Sequence, residues 1–541
     1  GYGNYNTIDA GFYGTTGLTE NLAADLSLYY SKRSDGFGRN VLLNNDVGLN
    51  KTFAVRSKLL FTPTDQPTVT LWPHYSNTPC DYGLTTQIAE GITGFDNVTR
   101  NAGDQNISQT INPYTTPKDY SVTGRLDQDL GFARFVNLTQ YRHNRTYYQK
   151  DVDGLPVNRG TAQQREYTWV FSEEAQLQSQ SDGRLQWVAG VFYLKSGGGV
   201  DPLVIGGNQF GAALNSQIRY GAVKTKSYAG FGQATLEITD TTRLTLGGRW
   251  THDQKNLSGQ VINVLPSGAQ VVSVPTPPGV TQLKTSRFTY RVALDQKLTE
   301  DVMAYAVVSR GYKAGSFNVL AIVDPPIQPE TLNSIEGGVK SEFFDRRLRL
   351  NAAAYHYKYK NIQLSQLFSP TAGGSGGIKI LNATSAKIWG LELDAQAQVT
   401  DAFTLTANFA YTHGRYGSFP GAPFSVPPPG NCPGVATPVP LNSRNTQCTA
   451  DASGHEVVRT PPVTFTIVAD YQIPLADGKL GLNGSVYYND GFPWEVDTRL
   501  RQSAYTLVNA DVRWTSPGDR YAVRLWVRNL TDKKYNIGIS T

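Results

Sequence analysis

Residues 309–363 read SRGYKAGSFNVLAIVDPPIQPETLNSIEGGVKSEFFDRRLRLNAAAYHYKYKNIQ. The stretch holds a strand, a long loop with a Pro-rich tip, a second strand, a very short turn at Phe344-Asp345-Arg346-Arg347 and a third strand. In the third strand Leu348, Leu350, Ala352 and Ala354 alternate with Arg347, Arg349 and Asn351. A period of two gives one dry face and one wet face.

The unit of strand, long loop, strand and short turn recurs along the whole chain. An opening strand end at 1–6 precedes a strand at 7–15 and a turn at 16–21. Expected hairpins follow: 22–31 with its neighbours, 52–61 with 68–75 across Pro63, Asp65 and Pro67, and 119–130 with 133–142. The hairpin 168–178/185–195 turns at Ser181-Asp182-Gly183. Next come 226–238/243–252, 287–298/302–312, 331–343/348–359, 385–399/403–412, 462–473/479–489 and 505–515/521–529. That makes about twenty-one strands of about ten residues, with every short turn on one side. The long loops, at 32–51, 76–118, 143–167, 196–225, 253–286, 313–330, 360–384, 413–461 and 490–504, fall on the other. The pattern describes an all-β, antiparallel, up-and-down transmembrane barrel.

Composition agrees. The 541 residues show no linker and no shift between halves, and they carry 53 Gly, 30 Tyr and a single Met. Tyr, Thr, Val and Phe favour strands, while Gly and Asp favour turns. No run of 18 apolar residues exists, so a membrane helix is excluded. A mean hydropathy of −0.35 suits a barrel whose strands are half polar. The net charge of +5, without basic runs interleaved with aromatics, excludes a nucleic-acid binder. Cys432 and Cys448 share one Pro-rich loop and read as a disulfide of an oxidising compartment, the alternative being two free thiols; Cys80 is left over.

The two faces are chemically distinct. Phe288, Tyr290, Val292 and Leu294 oppose Thr289, Arg291, Ala293 and Asp295, and Phe403, Leu405, Ala407 and Phe409 oppose Thr404, Thr406, Asn408 and Ala410. Arginine turned toward lipid would be costly, so Arg249, Arg291, Arg349 and Arg524 are expected to line a wet lumen. Tyrosines near strand ends suit an interfacial girdle.

Four segments carry a family resemblance: SRGYKAGSFN (309–318), PETLNSIEGGVKSEFFDRRLRLNAAAYHYKYKNIQ (329–363), NATSAKIWGLELDAQ (382–396) and VRNLTDKKYN (527–536). Each is loose, but their order and spacing resemble TonB-dependent outer-membrane receptors. The resemblance implies a barrel of twenty-two strands whose lumen is closed by a plug domain. It also implies a monomer, location in the outer membrane of a Gram-negative bacterium in contact with its lipid, and a TonB partner engaged through a segment before the barrel. Against the family pattern, the plug and one C-terminal strand are missing. Residues 1–541 are thus expected to be the barrel portion, with open edges at Gly1 and Thr541 that would keep this stretch from inserting alone.

No catalytic constellation, zinc spacing or phosphate loop occurs, and neither enzyme activity nor a cofactor is expected. Turn carboxylates such as Asp401, Asp477 and Asp519 read as turn formers. His74 and His143 continue lumen-facing registers and His252 and His413 lipid-facing ones, with His356 high on its strand and His455 in a loop, so no metal ring is expected. What remains is a binding surface. Tyr312, Lys313 and Phe317 in the 309–363 stretch, Trp72 and His74 on the lumen register, and Arg415 and Trp494 near the loops are the candidate ligand contacts, because stacking and charge-assisted bonds suit a flat anionic chelate. Tyr141 and Tyr411 are weaker candidates. By resemblance the expected cargo is a ferric siderophore imported with TonB-coupled energy. Cobalamin, haem or oligosaccharide import, a passive porin and a secretion barrel are the rivals.

Overall fold

A computed structural model describes every residue except 65, 82–104, 181–182, 369–376, 428–429, 437–445 and 540–541. The turn residues Ser181 and Asp182 and the turn residue Asp65 named above lie outside the described residues. The staves are β1 (Tyr2–Gly3), β2 (Thr7–Thr19), β3 (Leu22–Arg33), β4 (Asn50–Phe61), β5 (Thr68–Asn77), β6 (Tyr114–Asp129) and β7 (Arg134–Asp151). They continue as β8 (Thr161–Gln178), β9 (Leu185–Gly206), β10 (Ser216–Thr239), β11 (Thr242–Val264), β12 (Gln282–Lys297), β13 (Val302–Lys313) and β14 (Glu330–Phe343). The last are β15 (Leu348–Phe368), β16 (Gly377–Thr400), β17 (Phe403–Ser418), β18 (Val463–Leu475), β19 (Gly478–Asn489), β20 (Tyr505–Thr515) and β21 (Ala522–Val527). Each stave pairs antiparallel with the next in one sheet of 22 strands, the extra member being the loop strand Gln270–Val274 that folds back on β11. Trp526 on β21 packs beside Gly1, bringing the two ends of the sheet together.

The short turns close by local hydrogen bonds. Thr400 Oγ1 accepts from the Ala402 and Phe403 amides, and the Asp129 carboxylate accepts from the Gly131 amide at 2.7 Å, where Gly131 has φ 81°. Phe344, Asp345 and Arg346 all hold positive φ in the turn that joins β14 to β15.

The face assignment follows from register. Val191, Gly230, Trp250 and Phe288 form one cross-strand row over β9–β12, and the first, third and fourth of these are large exposed apolar side chains. Arg249 and Arg291 stand on the opposite face of the same strands.

The strands are longer than their apolar alternation suggests. β9 has 22 residues, β10 has 24, β11 has 23 and β16 has 24. Roughly 10 tilted residues suffice for an apolar band about 25 Å tall, so these ladders run on well beyond it. The expected loops 196–225, 253–286 and 360–384 are in large part paired strand. Backbone groups still need partners above the membrane, but with water on both faces the period-2 signal that marks a strand fades.

Loops at this end also build cores. Phe317 and Ile322 pack with Leu257, and Leu320 lies against Ala162, Val200, Leu203 and Ile205. The loop 314–329 is thereby held on the inner side of β8–β11, and Arg219 Nη1 donates to the Leu320 carbonyl at 3.1 Å. Gly221 is needed for this approach, since a Cβ there would sit 2.0 Å from the Val319 carbonyl oxygen. A second core gathers Tyr416, Phe419, Phe424, Val457 and Val496, and Cys432 is bonded to Cys448 at its edge.

Candidate functional site

The seven candidate contacts separate into groups at the long-loop end. Trp72 and His74 point inward from β5, opposite Thr123 and Ser121 of β6. Next to them Asp119, only 7% exposed, accepts from Arg142 Nε at 2.7 Å and lies 3.8 Å from His74 Nε2. One buried carboxylate thus binds the Arg142 guanidinium and lies beside the His74 imidazole on the inner wall.

Tyr312 and Lys313 form the second group. The ladder of β13 with β12 ends at Ser309, while that with β14 continues to Lys313. Over those last residues the strand leaves its earlier neighbour, and the Tyr312 hydroxyl donates to the Asp253 carboxylate on β11. Lys255 is near enough to feel Asp253 and Lys313, and Tyr312 feels Arg287. Asp253, Lys255 and Arg287 lie on the Arg249–Arg291 face, so two lysines and an arginine surround one carboxylate and one phenol at the upper lumen. This arrangement can receive an anionic, hydrogen-bonding solute.

Arg415 and Trp494 belong to a third group. Arg415 follows Tyr411 and His413 on the outward register and pairs with Glu456, which also accepts from Arg501 at 2.6 Å. Trp494 is 8% exposed, with the Arg459 guanidinium 5.3 Å from its ring and Phe492 edge-on at 4.9 Å. Its indole nitrogen is buried without an acceptor. Phe317 stands apart from all three: it is 4% exposed and anchors the loop 314–329, so its ring is occupied in packing. Such a ring contributes about 2–3 kcal/mol through burial.

Of the lumen-register arginines, Arg249 lies 5.1 Å from the Phe192 ring and 5.4 Å from the Phe231 ring. Arg291 faces Gly247, Arg349 donates to Gln396 at 2.7 Å, and Arg524 makes two bonds of 2.9 Å to Asp511. One histidine is placed differently from its expected register. His143 is opposite Tyr120 and two residues from exposed Tyr141, and it faces outward. The strand runs unbroken from inward-facing Arg142 to His143, and the period of two puts the imidazole on the outer face. Among the described residues no group of His, Cys, Asp or Glu is arranged to hold a metal ion.

Asp119, Arg142, Asp253, Lys255 and Arg287 were not among the sequence candidates. Continuing the Arg249 and Arg291 registers upward would have found the last three; nothing local marks Asp119.

At the end of β7, Asp151 is fully buried and accepts from Thr110 and from the Asp153 and Gly154 amides of the loop that follows. Burial and the neighbouring Asp151 push the Asp153 carboxyl up to about 7.

The profile of the TonB dependent receptor-like β-barrel family matches residues 58–530. The fold resembles the ferric yersiniabactin uptake receptor FyuA from Yersinia pestis, with a TM-score of 0.77 and 16% identity over 98% of this chain and 74% of that one. It also resembles the siderophore receptor PiuA from Acinetobacter baumannii, with a TM-score of 0.70 and 15% identity over 99% and 77% of the two chains. The ferric-catecholate import receptor Fiu from E. coli K12 gives 0.68 and 14% identity, over 100% and 77%. Transport receptors, not enzymes, share this architecture. The chain belongs to the TonB-dependent receptor family of outer-membrane β-barrels.

Proposed function

We propose that this barrel captures a scarce, large anionic solute at its long-loop end, a ferric siderophore in the first instance, and imports it as a monomer with energy delivered through TonB. The observation that carries the reading is the inward group of Tyr312, Lys313, Lys255 and Arg287 around Asp253. Its cations and phenol match a negatively charged chelate. The similar receptors, which serve ferric yersiniabactin, a siderophore and ferric catecholates, support the same cargo. Quenching of intrinsic fluorescence, titrated on the full receptor with ferric siderophores, haem, cobalamin and oligosaccharides, tests it. One ferric chelate should bind, and Lys255→Gln with Lys313→Gln should weaken it about tenfold or more. Binding of a sugar or cobalamin alone would move the cargo, and steady open conductance without binding would favour a porin.

A further inference from the structure

The hydrocarbon band takes roughly the eight residues of each stave next to its short turn. Followed through the ladders from β2 to β21, the outward register of that belt carries one charged side chain among the described residues, Glu173 on β8. Glu173 shares its face with Phe171, Ala175 and Leu177, and Ala175 pairs with Val191 of the outward row. The carboxylate stem is five residues above the turn end of the strand at Gln178, about 16 Å along it. That level is inside an apolar band about 25 Å tall. Two polar neighbours join it from β7: Asn137 stands opposite Ala175, and Thr139 opposite Glu173.

Asn137 Nδ2 donates to Glu173 Oε1 and to the Glu174 carbonyl at 3.4 Å, and Thr139 Oγ1 donates to Glu173 Oε2 at 2.6 Å. These bonds use both amide protons and the single hydroxyl proton. What is left over is acceptor capacity and negative charge, since a carboxylate offers about four lone-pair sites. Among the described residues no cation forms an ion pair with Glu173. Lys195, which faces Lys226 higher on the same wall, stands 6.0 Å from the Trp169 ring instead. A carboxylate turned to lipid is costly, and ionisable groups at such depth are paired. Lipid tails offer no donor, and amine headgroups lie at the interface, away from this level. A second copy of the chain brings no cation either, because its own outward belt holds Glu173 alone. The complementary group is therefore the lysine or arginine of a different membrane-spanning protein.

We infer that the Asn137–Thr139–Glu173 patch is a docking surface within the membrane, against which a second, different membrane protein sets a lipid-facing lysine or arginine. Asn137 and Thr139 hold the carboxylate in place, and the apolar surroundings of Ala175, Leu177 and Val191 supply the packing surface. The inference goes beyond solute capture and rests only on the wall spanning a membrane. It puts the neighbour against β7–β9 and leaves the long-loop end free.

The full receptor in phosphatidylcholine vesicles, titrated with two membrane-spanning Leu/Ala helical peptides, reads the surface. The peptides differ only in a central Arg or Leu, and each carries a dansyl group excited by energy transfer from the barrel's tryptophans. Wild type should bind the Arg peptide about tenfold more tightly than the Leu peptide. Glu173→Gln removes the charge, keeps a hydrogen-bonding side chain and should abolish the preference, whereas Glu174→Gln on the inner face should leave it intact. Equal binding of the two peptides by wild type, or a preference that survives Glu173→Gln, overturns the assignment. Loss of the preference when phosphatidylethanolamine replaces phosphatidylcholine gives the carboxylate to a lipid amine and overturns it as well. In the receptor's own outer membrane, Ala175→p-benzoylphenylalanine should cross-link to one other protein through a peptide that carries a lipid-facing Lys or Arg. Glu173→Gln should remove that adduct, and Glu173→Lys combined with Glu in place of the partner's cation should restore it. No adduct, an adduct with a second copy, or one indifferent to Glu173 counts against the docking surface. Wild type that cannot insert into the vesicles, read by heat-modifiable mobility, overturns the membrane reading and this inference together, whereas insertion without a preference overturns the patch alone.

Discussion

Lys118 and Asp119 are neighbours in sequence and stand on opposite sides of the wall. Asp119 turns inward, where it neutralises Arg142 and lies beside His74. Lys118 turns outward to face Arg145, and among the described residues neither forms an ion pair with a carboxylate. The inner face settles its charges within the protein, because its cations and carboxylates share a confined lumen. On the outer face Lys118 and Arg145 have no such carboxylate among the described residues, whereas Arg415 finds one in Glu456. A third arrangement appears after β7, where burial and the adjacent Asp151 push the Asp153 carboxyl up to about 7 and so favour its neutral form.

Substitutions of the two neighbours give the strongest test of the contrast. Asp119→Ala should destabilise the barrel by about 1.5 kcal/mol, since it removes a buried carboxylate acceptor while the Arg142 guanidinium, more than half exposed, stays solvated. Lys118→Ala should cost nothing measurable. Unfolding in neutral detergent followed by tryptophan fluorescence compares them, and equal losses would break the contrast.

A smaller effect is expected at the end of the sheet. Asp511→Ala removes both bonds to Arg524 and should cost about 1 kcal/mol, because the guanidinium is half exposed. Amide exchange in Ala522–Val527 should accelerate. Unchanged exchange would show that this ion pair does not hold β21.

On the outer face the sign should reverse. Lys226→Glu makes an opposite-charge pair with Lys195 and should stabilise the barrel by about 0.5 kcal/mol in neutral detergent. A loss of stability would mean that the facing lysines are not in conflict.

The pH dependence of the loop is the mildest test. The Asp153 carboxyl has a raised value in the folded protein, so its contribution is complete below about 4, the ordinary carboxyl range, and is lost as pH rises through about 7. Protection of the Leu155 and Gly160 amides, which donate to Asp153, should therefore fall between those limits after correction for intrinsic exchange. Asp153→Asn should flatten the profile. Protection that rises with pH would contradict the proton's role.

Much of the wall was legible without coordinates. Leu350, Ala352 and Ala354 alternate with Arg349 and Asn351 because one face meets lipid and the other water, and this two-sided solvent imprints its period on every stave. The short turns were legible for a similar reason: a tight reversal selects Thr, Asp and Gly locally. The tall upper strands were not, because Gly197, Gly198 and Gly199 on β9 read as loop while the structure pairs them with β10. His143, expected toward the lumen, follows inward-facing Arg142 in an unbroken register and so faces outward.

The candidate site was legible only in part. Tyr312 and Lys313 stand in the stretch that carries the family resemblance, but their partner Asp253 is 59 residues from Tyr312 in the chain. Phe317 looked available and is instead packed under its own loop, and nothing in the sequence says which of two neighbouring aromatics the core will take.

By itself, then, the amino-acid order determined the class, the number of staves, the family and the side each mid-wall residue faces, since these depend on a period of two and on turn chemistry within a few residues. Only the tertiary structure decided the partners across the sheet: Asp119 with Arg142, Tyr312 with Asp253, and the lysines that face one another outside. Those pairings depend on inter-strand register and on how far each ladder continues, which are set by the whole sheet and not by any local stretch.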